Sequence, residues 1–201
     1  MSELILNLSF FFITLIVSFY LNGYINKVFV GNKLTDPVNE RSSHKYPATR
    51  SGGISVFFTV CLACAFGIST GQLSIPLYAL LSVFFLTFTG FADDLINIRY
   101  REKLFLQLFA AVLMFQTGYS IDSFHGVFNI YELPWWLEFV SSVFVFVVVV
   151  NALNLIDGLD GLASFISIKF FLVAGGITLV SKPEWFLFFI IIISALLGFL
   201  W

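Results

Sequence analysis

Long apolar runs separated by short polar connections dominate the sequence. A helix needs roughly 20 mainly apolar residues to cross a bilayer, and shorter runs are tolerated where neighbouring helices cover them. Such a pattern predicts an all-α fold, a polytopic transmembrane helix bundle with about seven spans in a single domain over residues 1–201. The predicted spans are Leu4–Asn22, Ile54–Thr70, Ile75–Ala92, Leu104–Tyr119, Trp135–Val150, Leu162–Val180 and Trp185–Trp201.

Basic residues are distributed unequally among the connections. Gly23–Gly53 carries five Lys or Arg residues and Asp93–Lys103 carries three, whereas Ser120–Pro134 carries none and leads into Trp135 and Trp136. Because Lys and Arg are concentrated in cytoplasmic loops, the N-terminus is predicted outside and the first, third and fifth connections in the cytoplasm. Lys169, inside the sixth run, snorkels, lines the bundle interior or shifts the boundary of that span.

The composition agrees with a membrane protein. Apolar residues make up 59% of the chain and charged residues 11%, against about 25% charged in a soluble domain. A net charge near −2 gives no basic surface for nucleic acid. Cys61 and Cys64 have the spacing of a zinc or redox motif, but no second Cys or His pair stands nearby. They are therefore predicted to be buried helix cysteines.

Amide and carboxylate side chains recur at fixed intervals after the fifth run. Asn151, Asn154 and Asp157 are spaced by three, so they share one face if the helix continues past Val150. Glycines at 158 and 161 would then end or bend this helix and permit close approach of a ligand. A helix cap needs only one such polar residue, so the segment is predicted to be functional.

Two further polar clusters stand in the other predicted cytoplasmic connections. Asp93 and Asp94 are adjacent carboxylates at a helix end, which are costly without a partner. A bound Mg²⁺ would compensate them, and a solvated loop paired with nearby arginines is the alternative. In the first connection, Gly52–Gly53 at a helix start lets another backbone or a phosphate approach closely. The charges of that connection are equally consistent with a basic loop that fixes topology.

Together these segments resemble the polyprenyl-phosphate N-acetylhexosamine-1-phosphate transferases. Asn151–Gly161 matches the family pattern Asn-x-x-Asn-x-x-Asp-Gly-x-Asp-Gly at every fixed position, and Asp93–Asp94 matches its Asp-Asp pair. Arg101 and Gln107 resemble the Arg and Gln that follow this pair. The first connection is similar to the family's Pro-Asn-x-Arg-Ser-Ser-His-x-x-Pro-Thr-Pro-Arg-x-Gly-Gly. It keeps Asn39, Arg41, Ser42, Ser43, His44, Pro47, Arg50, Gly52 and Gly53, and departs at Val38, Ala48 and Thr49.

The resemblance implies an activity and a location. It implies transfer of an N-acetylhexosamine 1-phosphate from a UDP-sugar to undecaprenyl phosphate in the bacterial inner membrane, with UMP as the second product. The expected cofactor is Mg²⁺, with Mn²⁺ as an alternative, and the expected partners are both substrates, membrane lipid and a second copy of the chain in a homodimer. The Ser-Ser-His form is most similar to the O-antigen and lipopolysaccharide branch of the family.

The resemblance also implies roles for individual residues. Lys45 stands where related cell-wall translocases place a functional lysine. The implied catalytic residues are Asp93, Asp94 and Asp157, the implied substrate-binding residues are His44, Lys45, Arg50, Asn151 and Asp160, and the implied metal ligands are Asn154 and Asp157.

The family pattern extends beyond the last residues of this sequence. After a segment like Gly198-Phe199-Leu200, family members continue into Met-Gly-Asp, further helices and a His-rich loop. The sequence is therefore expected to be the first two-thirds of the family's domain, without an Asp implied to be a principal Mg²⁺ ligand. Two rival hypotheses are an inactive truncated scaffold and a transporter or channel subunit, although transporters place polar residues near the midplane rather than at one surface.

Overall fold

A computed structural model describes residues 2–34, 49, 51–156 and 161–201. The regular structure of these residues is helical, which confirms the predicted all-α class. The helices are α1 (Ser2–Gly31), α2 (Gly52–Ser69), α3 (Leu77–Ile96), α4 (Tyr100–Phe115), α5 (Trp135–Ile156), α6 (Leu162–Ser181) and α7 (Phe186–Leu200). Two single-turn 3-10 helices cover Val127–Asn129 and Pro183–Trp185.

Each predicted run corresponds to one α-helix. Helices α1, α2, α3, α5 and α6 are long and apolar enough to cross a bilayer, so the chain is a multi-pass membrane protein. Helices α4 and α7 are shorter, with 16 and 15 residues. The number of helices that cross the bilayer and their orientation remain predictions.

The predicted end of the first span is wrong by nine residues, because α1 continues past Asn22 to Gly31. Asn22 lies within α1, and its side chain bonds to another helix: Nδ2 donates to the carbonyl oxygen of Phe199 at 3.2 Å. Lys27, assigned to the first connection, therefore lies within α1. A helix of 30 residues is about 45 Å long, whereas a hydrocarbon core is about 30 Å thick.

The contacts within the chain form two units, and the first contains α1, α2, α6 and α7. Helix α7 packs against the other three, and Ile191 and Ala195 on it are fully buried. Gly198 allows the closest approach, since a Cβ there would lie 2.4 Å from the carbonyl oxygen of Leu15. Ser194 and Gly198 are small residues four apart, a spacing that brings transmembrane helices close together.

Polar side chains of the first unit bond across its helices. Ser18 Oγ donates to the carbonyl oxygen of Ala195 at 2.6 Å, and Ser55 Oγ donates to Asn22 Oδ1 at 3.1 Å. Such bonds satisfy polar groups that find no water inside a bilayer. At Gly52, an added Cβ would lie 2.5 Å from the ring of Phe199. The close neighbour of Gly52 among the described residues is thus an aromatic side chain, whereas Gly53 has no atom within 4 Å of a Cβ position. The approach of a phosphate to this glycine pair stays a prediction.

The second unit contains α3, α4 and α5, with α4 packed against both of its neighbours. Ala110 on α4 is fully buried and its carbonyl oxygen accepts a hydrogen bond from Ser82 Oγ of α3 at 2.8 Å. Phe115 of α4 meets Phe139 of α5 edge to face at 5.1 Å between ring centres. These contacts make two successive antiparallel helix pairs, so the end of α3, the start of α4 and the end of α5 lie together.

Two predictions made for residues inside helices have clear outcomes. Both cysteines are free thiols within α2; Cys64 is buried as predicted, whereas Cys61 is only half-buried. Lys169 is exposed on α6, so it does not line the packed interior of its unit. Because α6 ends at Ser181, one residue beyond the predicted span, Lys169 did not mark a misplaced boundary. Snorkelling of Lys169 stays a prediction, as does a place in the interior of the whole bundle.

Candidate active site

Asp93 lies in the last turn of α3, paired with a lysine from α4. The predicted third span ended at Ala92, but α3 continues to Ile96 and both aspartates are helical. Asn97 then takes a left-handed conformation (φ 48°), and its N–H donates to the Asp93 carbonyl oxygen at 2.9 Å. Only three residues separate α3 from α4, which returns the first turn of α4 beside Asp93. There Lys103 Nζ donates to Asp93 Oδ2 at 2.7 Å.

Lys103 also bonds to the end of α5. Its Nζ donates to Asn154 Oδ1 at 3.2 Å, so one ammonium lies between a carboxylate of α3 and an amide oxygen of α5. The Lys103 side chain is 19% exposed and that of Asp93 is 30% exposed. Charge-assisted hydrogen bonds of this kind are roughly twice as strong as those between neutral groups. We call Asp93, Lys103 and Asn154 the three-helix cluster.

One turn deeper, an amide pair joins α4 to α5. Gln107 is 3% exposed and follows Lys103 by one helical turn. Asn151 Nδ2 donates to Gln107 Oε1 at 2.8 Å and to the Val147 carbonyl oxygen at 2.8 Å. Gln107 Nε2 in turn donates to Asn151 Oδ1 at 3.5 Å. The amide pair therefore fixes the register of α4 and α5, the helices that carry Lys103 and Asn154.

The expected continuation of the fifth helix is present. Helix α5 extends six residues past Val150 to Ile156, which places Asn151 and Asn154 on one face. Of the predicted site residues, the structure thus brings Asp93 and Asn154 to one lysine and ties Asn151 to Gln107. Asp94 is exposed in the same turn as Asp93. The remaining predicted site residues, His44, Lys45, Arg50, Asp157 and Asp160, lie outside the described residues.

Lys103 was not among the predicted site residues, because it was counted only as a basic residue that sets topology. The alternative partners proposed for the aspartates were arginines, yet the described partner of Asp93 is Lys103. Arg101 instead bonds to its neighbour, with Nε donating to the Tyr100 hydroxyl at 2.8 Å. A usable signal was present: Lys103 precedes Gln107 by four residues and so shares its helix face.

The Asp93 and Asn154 oxygens of the three-helix cluster are of the type that binds a magnesium ion, while the cluster, with one carboxylate and one ammonium, has no net charge. Mg²⁺ binds hard oxygen ligands through one or two carboxylates and keeps several waters. The Asp93 carboxylate and the Asn154 amide oxygen already converge on a single cationic atom, Lys103 Nζ. Within the described residues there is no cluster of three or more His, Cys, Asp or Glu. The carboxylates and amides described here therefore form a partial oxygen site.

The helices that carry this cluster match a known protein family. A family profile described as glycosyl transferase family 4 matches residues 76–201, which include α3 to α7. The chain belongs to glycosyl transferase family 4. This membership confirms the resemblance found in the Asp-Asp and Asn-x-x-Asn segments.

Curated relatives of this family 4 chain are sugar-phosphate transferases. A Bacillus subtilis protein described as a probable undecaprenyl-phosphate N-acetylglucosaminyl 1-phosphate transferase is 27% identical over 94% of the chain and 53% of its own length. The phospho-N-acetylmuramoyl-pentapeptide-transferase of Streptococcus sanguinis is 30% identical over 94% of the chain and 62% of its own length. The undecaprenyl-phosphate alpha-N-acetylglucosaminyl 1-phosphate transferase of Thermotoga maritima is 33% identical over 76% of the chain and 46% of its own length. The chain thus spans about half of the length of these relatives.

Proposed function

We propose that the chain is part of an enzyme that transfers an N-acetylhexosamine 1-phosphate from a UDP-sugar to undecaprenyl phosphate. The observation that carries the proposal is the convergence of Asp93 and Asn154 on Lys103 where the ends of three helices meet. The names of the relatives support the choice of undecaprenyl phosphate as acceptor. The Ser-Ser-His sequence at 42–44 supports a first membrane step of O-antigen or other envelope polysaccharide synthesis, in the bacterial inner membrane.

The position of the cluster suits one lipid substrate and one soluble substrate. The phosphate of a polyprenyl lipid lies at the membrane surface. Asp93 and Asn154 lie near the ends of the apolar helices α3 and α5, which we expect to end at that surface. A nucleotide sugar reaches the same surface from water, on the cytoplasmic side by the distribution of Lys and Arg. Arg99 and Arg101 lie exposed beside Lys103 and attract both anionic substrates.

The transfer is a phosphoryl transfer with a simple balance. An oxygen of undecaprenyl phosphate forms a bond to the β-phosphorus of the UDP-sugar. The bond from that phosphorus to the bridging oxygen breaks, and UMP leaves with the electron pair. Two anionic groups approach each other in this reaction, so catalysis consists largely of positioning and of offsetting negative charge.

Lys103 supplies a fixed positive charge in this scheme. Because two oxygens already hold its ammonium, little reorganisation is needed when a phosphate arrives, which is the condition for effective electrostatic stabilisation. Asp93 and Asp94 handle the lipid phosphate, and Asp93 also orients Lys103. Asn154 and Asp157 would hold Mg²⁺, which when bound adds further charge compensation. His44, Lys45 and Arg50 would neutralise phosphate charge, and Asn151 and Asp160 would serve substrate and nucleotide recognition.

A transfer assay on the protein with its complete coding sequence tests the proposal. Radiolabel from UDP-N-acetylglucosamine should pass to undecaprenyl phosphate, enter the butanol phase, and do so only with Mg²⁺ or Mn²⁺. Lys103→Ala and Asp93→Asn should each lower kcat by about a hundredfold or more, the usual effect of removing one preorganised electrostatic group. Lys103→Arg should retain part of the activity, because it keeps the charge but changes the geometry.

Lys169→Ala serves as the matched control, because it removes a lysine from an exposed position on α6. Its turnover should equal that of the wild type. Wild-type turnover in both Lys103→Ala and Asp93→Asn would show that the three-helix cluster takes no part in the reaction. Absence of any lipid product with a panel of UDP-N-acetylhexosamines would favour the scaffold hypothesis, and light scattering in detergent would test the homodimer.

A further inference from the structure

The connection between α4 and α5 folds into a turn with an unusual backbone. His125, Gly126, Phe128 and Asn129 have φ angles of 50°, 87°, 58° and 59°. Backbone hydrogen bonds close the turn, from Gly126 N to the Ile130 oxygen at 3.1 Å and from Asn129 N to the Gly126 oxygen at 3.0 Å. A left-handed conformation is strained for a bulky residue such as Phe128 and persists only when the surroundings impose it.

This strained turn exposes apolar side chains. Val127 is 59% exposed and Phe128 is 87% exposed, the most exposed phenylalanine of the described part of the chain. A turn that served only to connect two helices would be expected to carry polar residues at its tip. The backbone conformation thus presents two adjacent apolar groups outward, where contact with an apolar phase would be favourable.

The base of the connection runs back along α5. The N–H of Ile121 donates to Ser142 Oγ at 2.8 Å, and the N–H of Leu133 donates to the Asp122 carbonyl oxygen at 2.8 Å. Ser120 Oγ is hydrogen-bonded to Glu138, also in α5. Ser142 lies seven residues after the start of α5, a distance of about 10 Å along the helix. The connection therefore lies beside the end of its own helix unit and does not project far from it.

The start of α5 marks where the bilayer surface lies. Trp135 and Trp136 occupy its first turn and are 70% and 61% exposed, which is typical of residues at a membrane interface. Because Ile121 bonds deeper than this pair, the connection stays within reach of the lipid headgroups. We propose that the Val127–Phe128 tip inserts into the bilayer interface and anchors the α4–α5 end of the second unit to lipid.

The charges of the connection indicate what kind of lipid surface the tip fits. Residues 120–134 include Asp122 and Glu132 but no Lys or Arg, so anionic headgroups offer the connection no attraction. Insertion therefore depends on apolar transfer and needs neither anionic lipid nor low salt. A zwitterionic phosphatidylcholine surface should therefore be sufficient for insertion of the tip. The inference does not depend on the proposed enzymatic activity.

A nitroxide label beside the tip tests the insertion without altering Phe128. Cys61 and Cys64 are replaced by Ala, Asn129→Cys is labelled, and the protein is reconstituted in phosphatidylcholine vesicles. Collisions with oxygen, which concentrates in lipid, are compared with collisions with a water-soluble nickel chelate. Oxygen should dominate in phosphatidylcholine alone, and addition of phosphatidylglycerol should not increase its dominance. A label at Glu132→Cys gives the reading for the polar part of the connection and should favour nickel.

Substitution of Phe128 then tests whether its side chain causes the insertion. Phe128→Ser should lower the oxygen-to-nickel ratio at Asn129→Cys about tenfold, since transfer of a Phe side chain to an apolar phase favours that phase by at least this factor. Phe128→Leu should keep the ratio high. Phe170→Ser, which removes an equally apolar residue from an exposed position on α6, should leave it unchanged.

Three results would overturn the lipid assignment. The first is nickel dominance at Asn129→Cys in both kinds of vesicle. The second is an unchanged ratio in Phe128→Ser, provided that its circular dichroism matches that of the wild type. The third is an immobilised nitroxide with no preference for oxygen, which would mark the tip as a contact with another protein.

Discussion

The Gln107–Asn151 amide pair allows a direct measurement of what a polar contact between α4 and α5 contributes to stability. Gln107→Leu and Asn151→Leu each replace an amide by an apolar group of similar size, and the double variant removes both. Gln107 is 3% exposed, so in either single variant the remaining amide is left without its main partner in a site with little water.

The expected magnitudes follow from the bonds of the pair. Two hydrogen bonds cross between the helices at 2.8 and 3.5 Å, and a third ties Asn151 to Val147 within α5. An orphaned buried polar group costs about 1–3 kcal/mol. Each single variant should therefore lose about 1–2 kcal/mol of unfolding free energy. Because hydrogen bonds between membrane helices average about 0.6 kcal/mol and reach about 1.7, the double variant should lose less than the sum by that amount.

Unfolding by dodecyl sulfate in mixed micelles, followed by circular dichroism, supplies the four free energies of the cycle. Gln116→Leu is the matched control, since Gln116 is an exposed amide at the other end of α4 and should change stability by at most about 0.5 kcal/mol. If the two single variants add within error, the amide pair contributes no coupling and does not fix the register of α4 and α5.

Two other predictions concern the first unit. Gly198→Ala should destabilise the protein by about 1–3 kcal/mol, because its Cβ would meet the backbone oxygen of Leu15 at 2.4 Å. Gly176→Ala, with open space at the Cβ position, should be neutral or slightly stabilising. Thermal melts of both variants measure the two effects, and equal effects would contradict the close packing of Gly198 against α1. Cys61 and Cys64 should resist a water-soluble maleimide in lipid and react once dodecyl sulfate unfolds the protein. Rapid labelling of the folded protein, seen by mass spectrometry, would place α2 in contact with water.

The helices could be predicted from the sequence because each apolar run is long and bounded by polar residues. Their ends could not, since a helix can continue through polar residues that bond to side chains or backbone elsewhere in the fold. Asn22 looks like a stop signal, yet its partner is Phe199, 177 residues away. Asp93 likewise lies within a helix and is paired with Lys103 of the next helix. Local sequence contains no information about such partners.

Part of the site was also visible in the sequence. The spacing of Asn151 and Asn154 indicated a shared helix face, which α5 has because it continues to Ile156. Lys103 was overlooked because a lysine in a short connection serves equally well as a topology signal. What separates the two roles is the position of Asp93 and Asn154 on other helices. Only the tertiary structure brings these three side chains together.

The bonds between α1 and α7 affect the order in which the first unit can fold during synthesis. Ser18 and Asn22 have their partners at Ala195 and Phe199, each 177 residues later in the chain. At about 5–20 residues per second, roughly 10 to 35 s of synthesis separate the two ends of each bond. Asn22 can meet Ser55 of α2 sooner, after 33 residues. The first unit therefore completes its packing only after α7 has been made, and until then α1 waits in the membrane with its α7-facing surface uncovered.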